Sequence, residues 1–229
     1  MQTPAEKFLI SRAISFLKNK SKQDKKAEVI NFGAGKSLVL EEEISQQTDH
    51  WVIDRIDIDL HKVNHRLVRN CWFGDVCQTN QQVQSGKYDL AIANYLLEHV
   101  VDLKKASSEM SRSLKKGALL MLTVPNPEAP EFKIAKKMPL WFHQLFRGNK
   151  NEQEAYHTYY AFSTIQQLIE VFEEAGFCQQ EVVYYPLVSA YLYRFPVINL
   201  LGKIYDSFVL ASGCRRLMGN VGIVLVKTK

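Results

Sequence analysis

One segment determines how the rest of the chain is interpreted: Val29-Ile30-Asn31-Phe32-Gly33-Ala34-Gly35-Lys36-Ser37. Its apolar first half predicts a β-strand, and the glycines that follow predict a tight turn into a helix. Gly33 and Gly35 let the backbone pass close to a ligand, and the N-terminus of the next helix presents free amides. The segment therefore predicts a strand–turn–helix unit that binds a ligand at its turn.

Two well-known phosphate-binding motifs do not fit this turn. The tripeptide Gly35-Lys36-Ser37 resembles the end of a P-loop, but the first glycine of that motif would stand where the chain has Ile30. A dinucleotide-binding fingerprint would require a third glycine where the chain has Leu38. Taken alone, the two glycines are also compatible with a plain tight turn.

Short apolar runs and helical patterns alternate on either side of this segment. Five such runs, three of them followed by a glycine or an acid, predict strands: Glu28–Phe32, Trp51–Ile58, Cys71–Phe73, Tyr88–Ala93 and Ala118–Val124. Helical patterns lie between them at Leu38–Gln46 and Leu103–Leu114, and Lys115-Lys116-Gly117 predicts the end of the second. This alternation predicts a parallel sheet with helices on its faces.

The two ends of the chain extend the pattern. An amphipathic helix is predicted over residues 8–17, and another runs from Ser163, as N-cap, to Ala175 before Gly176. Two late strands are predicted at Glu181–Tyr185 and Val221–Val226, with one or two helices in Leu187–Leu210. We therefore expect one domain over 1–229, divided as follows: helix and basic link 1–26, ligand-binding core 27–126, and cap segments 127–162 and 186–212.

Polar side chains follow the predicted strands where a parallel sheet binds its ligands. Asp57 and Asp59 end the second strand, and Asp57 comes 22 residues after Gly35, where a ribose-binding carboxylate belongs. Asp75 follows the third strand, and Asn94 follows the fourth. Solvated charges at strand ends are the alternative interpretation of these acids.

Composition excludes several classes of function. The net charge of +5 is largely explained by five lysines between Lys18 and Lys26, so no nucleic-acid partner is predicted. Four scattered cysteines indicate neither a metal site nor disulfides. The N-terminal apolar residues are interrupted by charges, and so is Pro186–Ser212; neither a signal peptide nor a transmembrane segment is expected. We expect a cytoplasmic protein, and contact with a membrane surface and homo-oligomerisation stay open.

These motifs, in this order, resemble the class I S-adenosylmethionine-dependent methyltransferases, in particular the group with a Leu-Glu-His segment after the fourth strand, here Leu97-Glu98-His99. The resemblance covers residues 27–126 well and 162–177 more loosely. It implies a Rossmann-like three-layer α/β/α sandwich whose seven-stranded sheet is mostly parallel, with an antiparallel last strand and helical cap insertions. It also implies S-adenosylmethionine as cofactor and methyl transfer to a small-molecule acceptor.

The resemblance assigns cofactor-binding roles to ten positions. Asn31, Gly33, Ala34 and Gly35 would hold the methionine part; Asp57 and Ile58 the ribose, with Asp59 in reserve; Asp75 and Val76 the adenine; Asn94 and Tyr95 would lie beside the methyl group. Two positions depart from the family, which usually has an acid at Asn31 and a third glycine around Ser37. A weakly binding or inactive relative would show such departures.

The acceptor site is expected in the loop after the fifth strand. Its aromatic segment Tyr156-His157-Thr158-Tyr159-Tyr160 predicts acceptor contacts, although such residues also pack caps onto cores. His157 and His99 are the candidate catalytic residues, with a structural role also open for His99. The aromatic cap favours a lipid-like, quinone-like or glycosylated acceptor. An NAD-dependent oxidoreductase and a non-catalytic cofactor-binding or assembly protein are the alternative functions.

Overall fold

A seven-stranded sheet is the centre of the computed structural model, which describes residues 2–22, 26–59, 62–130, 132, 158–192 and 196–229. The strands are β1 Ala27–Phe32, β2 Trp51–Asp57, β3 Val68–Phe73, β4 Tyr88–Asn94, β5 Leu114–Pro125, β6 Phe177–Tyr185 and β7 Asn220–Lys227. They lie in the order β3-β2-β1-β4-β5-β7-β6. Strand β7 is antiparallel to both of its neighbours, and the other pairs are parallel. The predicted sheet, including its antiparallel last strand, is confirmed.

Helices cover both faces of the sheet. They are α1 Pro4–Ser21, α2 Val39–Ser45, α3 Leu103–Ser113, α4 Ile165–Glu174, α5 Val188–Tyr191 and α6 Pro196–Ser212. Successive side chains of a strand point to opposite faces. Val29 of β1 accordingly packs with Leu9 of α1 and Ile44 of α2, whereas the next residue, Ile30, packs with helices α3 and α4. The predicted three-layer α/β/α sandwich is therefore confirmed.

Two predicted helix ends differ from the structure. Lys115-Lys116-Gly117 does not form the last turn of α3, because β5 begins at Leu114 and Gly117 adopts a φ of +79° within that strand. The N-cap of α4 is Thr164, not Ser163, because the Thr164 hydroxyl accepts a hydrogen bond from the backbone N–H of Gln167. Ser163 suits an N-cap, but its neighbour Thr164 makes the capping hydrogen bond. Lys115-Lys116-Gly117 suits a helix end, but these residues belong to strand β5.

Helix α1 begins four residues before the predicted start and reaches the functional edge of the sheet. Thr3 and Glu6 form a capping box, in which each side chain accepts a hydrogen bond from the backbone N–H of the other. Pro4 is favourable at the first helical position because it lacks the N–H that would otherwise be unsatisfied. The extra turn brings polar side chains of α1 to the end of β4.

The strand order also locates the ligand-binding edge. Strand β1 pairs with β2 on one side and with β4 on the other. The order in which successive strands are added to the sheet therefore reverses between β1 and β4, which are parallel. Parallel sheets bind ligands beyond the carboxyl ends of strands at such a point. After β6, the segment 186–212 forms the two helices α5 and α6, within the predicted number. Within the described ranges, no helix has the length and apolar character required to cross a bilayer.

Candidate functional site

A cavity of about 570 Å³ opens at the carboxyl ends of β1, β2 and β4. It is lined by seven of the ten residues predicted to bind the cofactor: Gly33, Gly35, Asp57, Ile58, Asp75, Val76 and Tyr95. The other three, Asn31, Ala34 and Asn94, line a smaller cavity of about 130 Å³ that shares Gly33 with the first. The sheet thus brings together residues that are up to 64 positions apart in the chain.

The glycine turn requires both of its glycines. Gly33 and Gly35 have φ angles of +66° and +57°, which residues with a side chain rarely adopt. A Cβ on Gly33 would also lie 2.6 Å from Leu96 Cδ1, so no side chain fits there, whereas a Cβ on Gly35 would meet nothing within 4 Å. The turn is fastened to β2, since the Gly33 N–H donates to the Ile56 carbonyl at 2.9 Å.

A buried arginine, Arg55, forms hydrogen bonds with the same turn. The Arg55 guanidinium donates to the carbonyls of Ala34, Gly35 and Ser37 at 2.7, 3.0 and 2.9 Å. It also pairs with the Glu41 carboxylate at 3.3 Å, where both side chains are almost fully buried. Burial raises the pKa of Glu41, and the positive charge of Arg55 opposes that shift.

Asn31 completes this group where the family usually has an acid. Its side-chain amide donates to the Glu41 carboxylate at 3.3 Å. A carboxylate therefore lies beside Asn31, although it comes from α2 and not from β1. Sequence reasoning did not identify Arg55 and Glu41. The available signal was a charged residue in the middle of the buried strand β2.

Asp57 lines the cavity in a fixed orientation. One carboxylate oxygen accepts a hydrogen bond from the Gly35 N–H at 2.8 Å, and the other accepts one from the Asp59 N–H at 2.9 Å. A carboxylate has about four lone-pair positions, so each oxygen can still accept from a ligand. Asp59 lies beyond the strand and is exposed.

Asp75 and Val76 line the cavity at its β3 side. One oxygen of Asp75 accepts a hydrogen bond from the Cys77 N–H at 2.8 Å, which fixes the carboxylate in the turn after β3. Val76 is buried in the core beside it. A carboxylate next to an apolar side chain suits a flat heterocycle that carries an amino group.

The end of β4 is bound to helix α1. The Asn94 amide donates to Glu6 at 3.1 Å, and its oxygen accepts from the Thr123 hydroxyl. The hydroxyls of Tyr95 and Thr3 are hydrogen-bonded at 2.8 Å, and Tyr95 has an unusual φ of +51°. These contacts, which the sequence did not predict, let the N-terminus of α1 close the β4 side of the smaller cavity.

The Leu97-Glu98-His99 segment forms a short 3-10 turn against the cavity. His99 lines the cavity together with Tyr159. The carbonyl of Glu98 accepts hydrogen bonds from the backbone N–H groups of Tyr159 and Tyr160 at 2.8 and 3.1 Å, which anchors the returning loop to this turn. The Glu98 carboxyl itself is buried, and burial raises its pKa to about 8.

Only part of the predicted acceptor segment can be located. Tyr159 lines the cavity, whereas Tyr160 packs against the core and against Phe162, with ring centres 6.2 Å apart. The other predicted contacts, Tyr156 and the catalytic candidate His157, lie outside the described residues. Among the residues that are described, no three His, Cys, Asp or Glu side chains are grouped to hold a metal ion.

Comparison with solved structures identifies chains of the same fold. An S-adenosylmethionine-dependent methyltransferase from Mesorhizobium loti matches with a TM-score of 0.54 and 12% identity, over 89% of this chain and 92% of that chain. Phosphoethanolamine N-methyltransferase 2 from Haemonchus contortus, solved with S-adenosyl-L-methionine, matches with a TM-score of 0.55 and 14% identity, over 96% of this chain and 53% of that chain. The cyclase SpnF also matches, with a TM-score of 0.54 and 14% identity, over 95% of this chain and 81% of that chain.

Sequence comparison gives the family. Comparison with curated proteins found no match. The model of a family described as a methyltransferase domain matches residues 5–182, which is most of the chain and includes every residue that lines the two cavities except Gln2. The chain therefore belongs to the family described as a methyltransferase domain.

Proposed function

We propose that the chain transfers a methyl group from S-adenosylmethionine to a small-molecule acceptor and binds the cofactor in the 570 Å³ cavity. One observation carries this proposal: the carboxylates of Asp57 and Asp75 line the same cavity as the turn at Gly33 and Gly35. The two ribose hydroxyls and the adenine amino group are donors, and carboxylates accept from them. The cavity is also within the range of about 300–1,000 Å³ that is typical of ligand pockets.

The residues fit an adenosyl cofactor at each end of the cavity. Asp57, already oriented by the Gly35 N–H, would bind the ribose, and Ile58 would pack against it. Asp75 would bind the adenine amino group, with Val76 against the ring. The smaller cavity would receive the methionine end of the cofactor. It is lined by Asn31, Gly33, Ala34 and Asn94, and also by Glu6.

The β4 side of the cavity is the proposed acceptor side. When bound, S-adenosylmethionine supplies a methyl group on a sulfonium that is already activated for displacement. The chain then has to position an acceptor and exclude water, which Tyr95, His99 and Tyr159 are placed to do. His99, or His157 from the loop, would accept a proton from an acceptor that must lose one. The proposed caps are segments 127–162 and 186–212.

A ligand panel followed by turnover tests this function. Thermal unfolding of the whole chain is measured with S-adenosylhomocysteine, NAD and ATP, and only the first is expected to raise Tm, because a ligand that binds the native state stabilises it. Stabilisation by NAD alone would favour the oxidoreductase. Methyl-labelled S-adenosylmethionine is then incubated with pools of small molecules, and label in an extracted product is expected. Cofactor binding with no labelled product from any pool would favour a non-catalytic protein.

The acceptor side is tested separately with His99→Ala and Tyr159→Phe. We expect both to lower turnover more than they lower affinity for S-adenosylhomocysteine, because the proposed polar contacts of the cofactor are made by Asp57 and Asp75 and not by these two side chains. An equal loss of affinity and turnover would place these residues with the cofactor and not with the acceptor.

A further inference from the structure

Helix α6 has an outward face that is almost wholly apolar. Five side chains at helical spacing form this face, which we call the α6 stripe: Val197, Leu200, Leu201, Ile204 and Phe208. Each is between 59% and 79% exposed. At a rise of about 1.5 Å per residue, the stripe is about 16 Å long. A soluble helix normally buries such a stripe and exposes its polar side chains.

Two polar side chains of α6, Asp206 and Asn199, instead form hydrogen bonds with the backbone of α5. Asp206 is 9% exposed and accepts hydrogen bonds from the backbone N–H groups of Val188 and Ser189 at 3.2 and 2.9 Å. The Asn199 amide donates to the Ser189 carbonyl at 2.6 Å. A Cβ on Gly202 would lie 3.0 Å from Ser189 Cα, so the two helices pack closely on this side. The orientation of α6 is therefore fixed by specific contacts, and the apolar face is left outward.

Charge around the stripe is mostly positive among the described residues, although Arg216 also pairs with the Glu128 carboxylate at 3.3 Å. Asp206 is the only acid in the helix, and it is turned inward. Lys203 is exposed on the flank of the stripe, and Arg215 and Arg216 are exposed just after the helix. A second copy of the chain, packed stripe to stripe, would place these cations near one another without an acid from either helix. An anionic surface complements them.

Arg215, just after α6, lies at the edge of the sheet at which the cavity opens. The Asn126 amide, directly after the carboxyl end of β5, donates to the backbone carbonyl of Arg215 at 3.0 Å. The guanidinium of Arg215 lies over the ring of Tyr184, near the end of β6, at 5.4 Å. Arg215 is thus anchored at the functional edge of the sheet.

We propose that the α6 stripe docks the protein onto an anionic lipid surface. Its apolar side chains lie at the boundary between headgroups and acyl chains, and Lys203, Arg215 and Arg216 contact the headgroups. Apolar burial and attraction to anionic lipid both contribute to binding of this kind. The surface is separate from the cofactor cavity, so this docking does not depend on the proposed reaction.

Co-sedimentation of the full chain with vesicles tests the proposal. We expect binding to phosphatidylcholine vesicles that contain about one third phosphatidylglycerol, and weaker binding as salt screens the charges. Leu201→Ser with Phe208→Ser should weaken binding at least about tenfold, because burial of large apolar side chains drives it. Phe73→Ser is the matched control, since Phe73 is 65% exposed on β3, away from α6; its binding should not change. Circular dichroism verifies that each variant is folded.

A charge variant provides a second test. Lys203→Ala with Arg216→Ala should reduce the preference for phosphatidylglycerol over pure phosphatidylcholine, because it removes two of the three cations. Equal binding of the unmodified chain to both kinds of vesicle would overturn the proposal, as would full binding by the Leu201→Ser, Phe208→Ser variant. Sedimentation that shows a dimer dependent on Phe208, with no vesicle binding, would assign the stripe to a second copy and also overturn it.

Discussion

Arg55→Met tests whether the buried arginine organises the glycine turn. The substitution removes the three hydrogen bonds to the carbonyls of Ala34, Gly35 and Ser37 and the 3.3 Å contact with Glu41. Removing one partner of a buried ion pair costs about 3–5 kcal/mol, because the remaining charge is buried without compensation. We expect a loss of free energy of unfolding of about that size in urea titrations. Affinity for S-adenosylhomocysteine should fall at least about tenfold.

A double variant separates charge burial from turn geometry. Arg55→Met with Glu41→Gln removes the unpaired carboxylate, so we expect it to recover part of the lost stability. Affinity should not recover, because the three turn carbonyls still lack their donor. Arg12→Met is the matched control: Arg12 pairs with Glu181 at the surface, and such pairs contribute about 0–1 kcal/mol. Wild-type affinity in the double variant would refute the claim that Arg55 positions the turn.

Three further substitutions test other parts of the account. Gly33→Ala should lose more stability in urea titrations than Gly35→Ala, because both strain the backbone but only the first brings a Cβ to 2.6 Å from Leu96 Cδ1; equal losses would contradict this. Asp75→Asn should weaken binding of S-adenosylhomocysteine in competition assays, and an inosine analogue that binds the wild type equally well would exclude the adenine role. Glu98 keeps its proton in the folded state up to a pKa of about 8, against 4.5 normally, so its contribution to stability falls as pH rises through that window. Glu98→Gln should therefore gain stability over the wild type from pH 5 to pH 8, and a pH-independent difference would show that the carboxyl is not held protonated.

The sheet could be predicted because its signals are local. Most of the parallel strands contain a short apolar run, which a glycine or an acid follows in β1, β2 and β3, and the pattern of β1 and β4 is visible without knowledge of their partners. Asp57 and Asp75 could be located for the same reason, since the carboxyl ends of neighbouring parallel strands meet at one edge. The errors at Lys115–Gly117 and Ser163 concern element ends, where cap and strand propensities compete.

The support of the site could not be predicted because it depends on contacts between distant segments. Arg55 reaches the glycine turn from the next strand, and Glu41 reaches Arg55 from α2. Glu6 meets Asn94 across 88 positions of sequence. The sequence analysis assigned no role to these residues, and only the packed chain shows which groups they bind. The apolar stripe of α6 was likewise visible as composition, whereas its outward direction depends on contacts with α5.

Calorimetric titration of S-adenosylhomocysteine into the wild type, Asp57→Ala and Asp59→Ala tests the central claim most directly. A hydrogen bond to a charged group contributes about 1.5–3 kcal/mol, so Asp57→Ala should weaken binding about ten- to a hundred-fold. Asp59→Ala should bind as the wild type does, because the backbone N–H that Asp59 donates to Asp57 is kept in the variant. Unchanged affinity in Asp57→Ala would contradict a cofactor site in this cavity, and a loss confined to Asp59→Ala would move the ribose contact out of it.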